Sequence, residues 1–317
     1  MNLAKEIKNH NPIALAKGIT LLESHLRTDV IRAEELIKKC QPYSGKSIRI
    51  GITGVPGVGK STFIETFGKM LTKSGKKVAV LAIDPTSQTT KGSILGDKSR
   101  MQMLSVDKNA FIRPSPNRGL LGGIANKTRE SIILCEAAGF DVIIIETVGV
   151  GQNEINVKDI VDFLLLLILP NAGDELQGIK RGIMEIADLI MINKADGKLL
   201  NEAQRACQIY QNSISMLSNE KKWKVNVEIC SSLEKKGIDL VWNNIKEYTK
   251  QMKRNGFFEK NRNKQINIWL YQKIKEEIGN RRYQKLIENG DIQKIEKRLY
   301  NNGENINDII NSIINID

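Results

Sequence analysis

The sequence has few side chains that could build a metal cluster or a disulfide framework. Its 317 residues include four cysteines and two histidines. The cysteines are far apart and form no C-x-x-C pair, which argues against a zinc cluster and against a fold held together by disulfides. The same spacing predicts a reducing, cytoplasmic environment. The residues concerned are Cys40, Cys135, Cys207 and Cys230, with His10 and His25.

The chain also lacks an apolar run long enough to span a bilayer. Its longest strongly apolar run is FLLLLIL at residues 163–169, which has the length of a buried strand rather than of a membrane helix. The first residues, MNLAKEIK, are too polar for a secretory signal peptide. We therefore expect no membrane partner.

Aromatic residues make up only 5% of the sequence, whereas the formal net charge is +12. Proteins that bind nucleic acid usually place their basic side chains within a recognisable module, often beside aromatic rings. No such module is visible, and much of the excess charge follows residue 220 with few aromatics nearby. We interpret the charge as solvated lysine on helix faces and expect no nucleic-acid partner.

Residues 54–61 read GVPGVGKS and match the phosphate-binding loop G-x-x-x-x-G-K-[ST]. A β-branched run at 47–53 precedes the loop and a helical apolar pattern at 61–71 follows it, as this motif requires. Backbone N–H groups of such a loop bind phosphate together with the dipole of the following helix. Lys60 would reach the β- and γ-phosphates, and the Ser61 hydroxyl would ligate Mg²⁺. The predicted nucleotide contacts are Gly54, Val55, Pro56, Gly57, Val58, Gly59, Lys60, Ser61 and Thr62.

Two further apolar strands end in acidic residues. Residues 77–83 lead to Asp84, and residues 141–145 lead to Glu146. The carboxyl ends of parallel strands are where ligands bind in this architecture. Glu146 is followed by Thr-Val-Gly, a pattern typical of an Mg²⁺-binding acid joined to a switch, in which Gly149 lets the backbone approach the γ-phosphate. We predict that both acids lie at the nucleotide site.

The third motif is N-K-A-D at residues 193–196, after an apolar strand at 187–192. N-K-x-D in this position is the guanine-recognition signature, because the Asp196 carboxylate accepts from guanine N1–H and the exocyclic amino group. Adenine lacks this donor pair, and ATP would leave the carboxylate unpaired at a cost of roughly 1–3 kcal/mol. Asn193 and Lys194 support the loop and cover the base. A second base-side loop, comprising Ser231, Ser232 and Leu233, follows the last predicted strand.

Helical patterns flank the predicted nucleotide domain on both sides. We assign residues 1–45 to an N-terminal helical extension, 46–255 to the nucleotide domain and 256–317 to a C-terminal helical arm. The extension is expected to pack on the nucleotide domain. The apolar stripes of the arm need a surface to cover them, either within a fold of their own or on a second copy of the chain. Helix breaks in the arm are predicted at Gly279, Gly290 and Gly303.

Taken with these motifs, the sequence resembles the MeaB/ArgK family of G proteins. These are GTPase chaperones associated with adenosylcobalamin-dependent methylmalonyl-CoA mutase, and they include the methylmalonic aciduria type A proteins. The resemblance covers nearly the whole chain and weakens beyond residue 255. It is strong in segments 19–24, 51–65, 92–101, 113–119, 146–154, 172–188 and 193–196.

The resemblance implies a P-loop NTPase fold of the SIMIBI class. This is an α/β architecture with a mostly parallel central sheet flanked by helices, here with an N-terminal helical extension and a C-terminal dimerisation arm. The implied activity is Mg²⁺-dependent hydrolysis of GTP to GDP and phosphate. The implied partners are a second copy of the chain and a cobalamin-dependent acyl-CoA mutase, whose adenosylcobalamin loading the GTPase gates and which it protects or reactivates.

Roles for individual residues follow from the same resemblance. Ser61, Asp84, Asp97 and Glu146 would surround Mg²⁺ and its water, with Asp97 in the first switch and residues 146–154 in the second. Residues 171–180 correspond to a third switch that faces the mutase, where Lys180 couples the nucleotide state to the partner. Asn171 and Ser232 depart from the family pattern, which has Gly and Ala there. The expected catalytic set is Lys60, Asp84, Asp97, Glu146 and Lys180.

Other classes of function stay open at this point. A metallochaperone GTPase of the nickel-insertion type would need a Cys/His cluster, which the two histidines and four isolated cysteines disfavour. A small-molecule kinase would share the phosphate loop but transfer the γ-phosphate to an acceptor rather than to water. A non-hydrolytic binding module would share it too. The older label for related proteins, an arginine/ornithine transport ATPase or kinase, gains no support from any membrane segment.

Overall fold

The structure is a computed structural model that describes residues 2–84, 101–116, 121–147, 157–170, 181–215, 223–301, 304 and 306–314. For residues 83, 84, 115, 116, 121–126, 181, 300 and 301 it describes the backbone only. The strands are β1 (Ile48–Gly54), β2 (Val78–Asp84), β3 (Ala110–Pro116), β4 (Val142–Glu146), β5 (Phe163–Ile168), β6 (Leu189–Ile192) and β7 (Asn226–Ile229).

These seven strands form one sheet in the order β3-β2-β4-β1-β5-β6-β7, with parallel pairing throughout the described part. β1 lies at the centre, where Ile52 is in register with Glu146 of β4 and with Leu165 of β5. β4 and β5 are buried along their whole length, as expected for strands covered by helices on both faces. The predicted α/β fold with a mostly parallel sheet is confirmed.

Five of the six connections between consecutive strands contain an α-helix among the described residues, as is usual for parallel pairing. The α-helices are α1 (Leu3–Lys8), α2 (Pro12–Glu23), α3 (Arg27–Cys40), α4 (Lys60–Lys73), α5 (Gln102–Ser105), α6 (Leu121–Ala137), α7 (Arg181–Ile186), α8 (Leu200–Ser215), α9 (Ile238–Arg254), α10 (Phe257–Glu288), α11 (Asp291–Asn301) and α12 (Ile306–Ile314). Short 3-10 turns cover Gln41–Tyr43 and Gly197–Leu199. Gly279 interrupts α10 with a left-handed φ of 74°, at one of the predicted breaks.

Each face of the sheet has its own apolar core. On one face α4 and α9 pack against the strands, and Phe163 of β5 meets the ring of Tyr248 edge-on with the ring centroids 5.1 Å apart. On the other face α6 packs together with helices from both ends of the chain, so that Leu15, Leu164 and Leu270 belong to one buried cluster. The N-terminal extension therefore packs on the nucleotide domain as expected.

The N-terminal helices divide earlier than the sequence indicates. The sequence predicts a break at Thr28–Asp29, but α2 ends at Glu23 and α3 begins at Arg27. The Ser24 hydroxyl donates to the Asp29 carboxylate over 2.7 Å and accepts from the N–H of Leu26. Asp29 thus lies in the first turn of α3, where the helix dipole favours a carboxylate, and Ser24 forms the turn.

The C-terminal arm covers its apolar stripes within the same chain. Trp269, Leu270 and Ile274 of α10 are buried in the cluster that contains α6 and the sheet. The question left open by the sequence, whether the stripes need a second copy, is therefore answered for these residues by intramolecular packing. Because both flanking segments share a core with residues 46–255, the domain boundaries at 45/46 and 255/256 stay predictions.

Arg262 of α10 fixes the arm to the nucleotide domain. Its Nε and Nη2 donate to the two carboxylate oxygens of Asp162, each over 2.8 Å. Its Nη1 and Nη2 also donate to the backbone carbonyls of Gly45 and Ser47, over 2.5 and 2.6 Å. Arg262 thereby joins three distant parts of the chain: α10, the segment before β1 and the segment before β5. We refer to these four hydrogen bonds as the Arg262 clamp.

Helix α4 holds α5 in place. The Glu65 carboxylate accepts from the N–H groups of Met103 and Leu104 over 2.7 and 3.1 Å. At the other end of α5 the Asp107 carboxylate accepts from Lys69 Nζ over 2.5 Å and from the Thr72 hydroxyl over 2.8 Å. These bonds fix α5 to α4 close to residue 101, where the described part of the chain resumes after Asp84.

We expect Asp107→Asn to lower the free energy of unfolding at pH 7 by about 1–2 kcal/mol. The hydrogen bond from Lys69, followed by those from Asn109 N–H and Thr72, lowers the pKa of Asp107 from 3.8 to about 2. Because the folded-state pKa is depressed, this stabilisation is present above pH 4 and is lost as the pH falls towards 2. Urea unfolding at pH 7, 4 and 3 should show a difference between wild type and variant that shrinks only at the lowest pH. Asp239→Asn, an exposed change, is the control.

Candidate nucleotide-binding site

The loop after β1 has three glycines with a positive φ, and at two of them a Cβ would also meet a neighbouring atom. Gly54 has a φ of 150°, and a Cβ there would lie 2.4 Å from the carbonyl oxygen of Leu167. Gly59 has a φ of 93°, and a Cβ there would lie 3.0 Å from Asn193 Nδ2. The two glycines therefore allow the loop to turn sharply between β5 and the segment after β6. Residues 55–59 connect this turn to α4.

The first turn of α4 presents its backbone N–H groups at the end of this loop. The helix begins at Lys60, and the Phe63 N–H donates to the Gly59 carbonyl over 2.9 Å. The N–H groups of Lys60, Ser61 and Thr62 precede the first intrahelical bond and have no helical acceptor. Together with the helix dipole they form an anion site.

Lys60 folds back over the loop. Its Nζ donates to the carbonyl oxygens of Gly54 and Val55 over 2.7 and 3.3 Å. A lysine ammonium that donates to neutral carbonyls beside a helix N-terminus is positioned to bond to an anion placed between them. The cation and the helix N-terminus therefore act on the same volume.

The acid at the end of β4 reaches α4 directly. The Ser61 hydroxyl donates to Glu146 Oε1 over 3.2 Å, and Glu146 is 9% exposed. A hydroxyl and a carboxylate oxygen in contact beside an anion site are hard donors of the kind that Mg²⁺ prefers, so these residues fit the metal. On the neighbouring strand Ala82 is in register with Glu146, which places the backbone of Asp84 just beyond it. Predicted residues Asp97, Gly149 and Lys180, and the Asp84 side chain, lie outside the described residues.

Asn193 connects the phosphate loop to the predicted base-side loops. Its Nδ2 donates to the Val58 carbonyl over 2.8 Å. Its Oδ1 accepts from both the N–H and the hydroxyl of Ser232, over 3.1 and 2.8 Å. Asn193 is 1% exposed, so all of these bonds are shielded from water. The ends of β1, β6 and β7 are thereby joined through one side chain.

The Asp196 carboxylate is oriented by the loop after β7. Its Oδ2 accepts from the Ser231 hydroxyl over 2.5 Å, and that hydroxyl in turn accepts from the Glu234 N–H over 3.0 Å. Ser231 is held by paired backbone bonds to Lys236. Beside Asp196, Lys194 is exposed with a left-handed φ of 61°, and Leu233 is 76% exposed. A carboxylate with two long side chains beside it can bind the edge of a planar base and cover its faces.

Two residues that support the base side were not singled out from the sequence. The Thr66 hydroxyl on α4 donates to the Ser232 carbonyl over 2.9 Å. Gly237, just before α9, has a φ of 71°, and a Cβ there would lie 2.5 Å from the Ile229 carbonyl oxygen. The glycine before α9 was a usable signal for a tight turn, whereas nothing in the sequence indicates the contact of Thr66.

The described residues hold neither a clustered metal site nor a membrane span. Three or more His, Cys, Asp or Glu side chains nowhere converge there on a point that could hold a metal ion. No helix in this part of the chain has the length and apolarity needed to cross a bilayer.

A protein-family model, curated proteins and a solved structure all show similarity to this chain over most of its length. Residues 15–286 match the family model described as methylmalonyl-CoA mutase-associated GTPase MeaB. The chain is 43% identical over 277 residues to the GTPase ArgK of Escherichia coli, covering 87% of this chain and 84% of the relative. It is 45% identical over 278 residues to the mitochondrial methylmalonic aciduria type A homolog of Mus musculus, covering 83% and 66%. The crystal structure of an LAO/AO transport system kinase superposes with a TM-score of 0.76 at 34% identity, covering 98% of this chain and 96% of the other.

Proposed function

The chain belongs to the MeaB family of methylmalonyl-CoA mutase-associated GTPases, and we propose that it uses Mg²⁺-dependent GTP hydrolysis to assist a cobalamin-dependent acyl-CoA mutase. It is a P-loop GTPase, as its relatives are. The observation that supports the proposed site best is the Asn193 side chain, which joins the anion-binding loop at Val58 to the base-side loop at Ser232.

At the phosphate end, the residues of the loop and of the first turn of α4 would bind the β- and γ-phosphates. Lys60 would exchange its bonds to the Gly54 and Val55 carbonyls for bonds to phosphate oxygens, which brings a full positive charge to the γ-phosphate. Ser61 and Glu146 would hold Mg²⁺, with Asp84 and Asp97 completing its surroundings. The ion, when bound, neutralises charge on the phosphate oxygens.

The attacking water needs a group that orients it. Asp84 and Asp97 are our candidates, because the resemblance to the family implies that both lie beside Mg²⁺ and its water. Gly149 would let the backbone of the second switch approach the γ-phosphate. Catalysis would then rest on positioning and on charge neutralisation by Lys60, Mg²⁺ and the backbone N–H groups of the loop.

At the base end, Asp196 would accept from guanine N1–H and the exocyclic amino group. The Ser231 hydroxyl donates to one carboxylate oxygen and so fixes the plane of the carboxylate. Lys194 and Leu233 would cover the faces of the base, and Asn193 and Ser232 would hold both loops together. The replacement of the family's alanine by Ser232 adds a hydroxyl that bonds to Asn193.

We expect Asp196→Asn to lower the preference for GTP over XTP by about tenfold to a hundredfold, which corresponds to roughly 1–3 kcal/mol. The amide N–H₂ would face the donors of guanine, whereas xanthine presents a carbonyl at that position. Ser231 can still donate to the amide oxygen, so the loop should keep its shape. The ratio of kcat/KM values for GTP and XTP measures the effect, with Asp239→Asn as control. An unchanged ratio would contradict base reading by Asp196.

The proposed partner is supported by the description of the family model and by the similarity to the methylmalonic aciduria type A homolog. The test is GTP turnover by the full chain with and without a purified adenosylcobalamin-dependent acyl-CoA mutase. We expect co-purification and a higher turnover. Lys180→Ala should lower the stimulation by the mutase more than it lowers the intrinsic rate. Absence of both binding and stimulation would contradict the partner but not the GTPase activity.

The nickel-insertion alternative predicts a different result. The full chain would bind nickel or zinc tightly and stoichiometrically in a calorimetric titration, in the absence of nucleotide. We expect no such binding from two distant histidines and four isolated cysteines. A tight stoichiometric site would favour the metallochaperone over the mutase chaperone.

We further propose a homodimer in the cytoplasm. The four free thiols suit a reducing compartment. Deleting residues after 255 is a poor test of dimerisation, because it also removes the Arg262 clamp. Light scattering of the full chain over a dilution series should give twice the mass of one chain. Ile287, 44% exposed on α10, is the position at which substitution by glutamate would weaken a dimer built by the arm without entering the core.

A further inference from the structure

A cavity separate from the predicted nucleotide contacts lies beside helix α6. It has a volume of about 320 Å³, within the range of small-molecule sites. Its walls come from α6, from the start of β1 and from the C-terminal helices, and none of its described lining residues belongs to the nucleotide site. Most of the wall is apolar, formed by Ile132, Ile133, Ile266, Leu299 and Ile306.

One wall of this cavity holds a buried cation, Arg129 of α6. It is 8% exposed, and its Nη1 donates to the Gln265 carbonyl over 2.8 Å. Its Nε has no hydrogen-bond partner in the described part of the chain. Within the described ranges no carboxylate forms an ion pair with Arg129, although Asp159 acts on it from farther away. Burial lowers the pKa of Arg129 to about 10, which leaves it charged at neutral pH.

A second donor lines the same cavity. Trp269 of α10 is 6% exposed, and its indole N–H has no hydrogen-bond partner among the residues that the structure describes. A buried indole N–H normally finds an acceptor, because a buried donor without one destabilises the fold. Arg129 and Trp269 thus each have a buried N–H group that lacks an acceptor among these residues, and both residues line the same cavity.

The remaining charged groups of the cavity are already paired. Arg49 donates from Nε and Nη2 to the two carboxylate oxygens of Glu136, over 3.1 and 3.0 Å. Glu304 accepts from Arg298, with the shortest bond at 2.7 Å. The Arg129 guanidinium is therefore the charge that a ligand would neutralise. An anion in an otherwise apolar cavity should carry a single charge and an apolar body.

We propose that this cavity binds a small organic monocarboxylate, with its carboxylate on the Arg129 guanidinium and the Trp269 N–H and its apolar body on the isoleucines. A carboxylate accepts from both donors at once, and charge-assisted bonds to arginine are among the strongest available. This binding would be independent of GTP, because the lining residues are distinct from those of the nucleotide site.

Isothermal titration of the full chain with octanoate tests the chemistry. We expect saturable one-to-one binding that persists with GDP present. Uncharged 1-octanol and cationic octylamine share the apolar body and should bind at least about tenfold more weakly. Equal binding of 1-octanol would overturn the role of the charge. Binding of inorganic phosphate but not of octanoate would overturn the carboxylate assignment, and absence of octanoate binding up to millimolar concentration would overturn the site.

Two variants locate the site. Arg129→Gln should weaken octanoate binding about tenfold or more, and Trp269→Phe, which keeps an aromatic ring and removes the N–H, should weaken it about threefold to tenfold. Arg254→Gln changes an exposed arginine of α9 outside the cavity and should leave the affinity unchanged. If Arg129→Gln does not fold, Trp269→Phe decides. Wild-type affinity in Trp269→Phe together with wild-type affinity in a folded, uncharged Arg129 variant, such as Arg129→Gln or Arg129→Met, would refute the proposal.

Discussion

Replacing Lys60 with alanine is expected to lower kcat/KM for GTP by about 10²- to 10³-fold, which is the usual effect of removing one positioned donor from a transition state. The ammonium group is the side-chain cation at the helix N-terminus that forms the anion site. The structure holds it by bonds to Gly54 and Val55 carbonyls, so that it is aimed at the loop before a nucleotide arrives. In the variant, a phosphate bound there would lack the ammonium group as a partner and would be bound by backbone donors alone.

The same substitution should change the stability of the protein little. Lys60 is half-buried, and the bonds of its ammonium group to the Gly54 and Val55 carbonyls each make a modest net contribution to stability. Lys73→Ala is the matched control, because Lys73 is an exposed lysine in the last turn of the same helix. Steady-state turnover and thermal unfolding of both variants separate loss of function from loss of fold. Turnover in Lys60→Ala close to that of Lys73→Ala would show that the nucleotide site is wrongly assigned.

Replacing Arg262 with methionine is expected to lower the free energy of unfolding by about 3–5 kcal/mol. Methionine keeps much of the apolar volume but leaves Asp162, 2% exposed, without its cationic partner. The carbonyls of Gly45 and Ser47 also lose their donors. The Arg49 N–H would still donate to Asp162 over 2.8 Å, but one neutral donor does not compensate a buried carboxylate.

Urea unfolding followed by circular dichroism measures this effect. Arg254→Met, on the exposed end of the preceding helix α9, should change the free energy by no more than about 0.5 kcal/mol. The double variant Arg262→Met with Asp162→Asn should be more stable than Arg262→Met alone, because it removes the unpaired charge. A loss below about 1 kcal/mol in Arg262→Met would mean that the arm is not clamped to the core in solution.

The strand ends were predictable because each carries its chemistry in consecutive residues. The phosphate loop, the acid at Glu146 and the N-K-A-D segment are all short motifs that follow apolar runs, and parallel strands bring such ends to one edge. The structure joins them through Ser61 with Glu146 and through Asn193 with Val58. The roles of these residues toward GTP and Mg²⁺ stay proposals.

The contacts that hold the ends of the chain were not predictable. The stripes of the C-terminal arm indicate an apolar partner surface but not which one, since the amphipathic pattern is the same for a core and for a dimer. Arg262 looks like any other basic residue in a lysine-rich helix. Its partners lie 100 and more positions away, at Asp162, Gly45 and Ser47, and no local pattern encodes a contact at that separation. The cavity beside Arg129 was not predictable either, because its lining residues lie far apart in the sequence.

The Arg262 clamp also has a consequence for biosynthesis. Gly45 and Arg262 are separated by 217 positions, so the first strand of the sheet reaches its final environment only after most of the polypeptide has left the ribosome. A nascent chain that stops before α10 exposes the buried carboxylate of Asp162 and the apolar face that the arm covers. Truncated products should therefore be held by chaperones or degraded rather than accumulate as partly active GTPases.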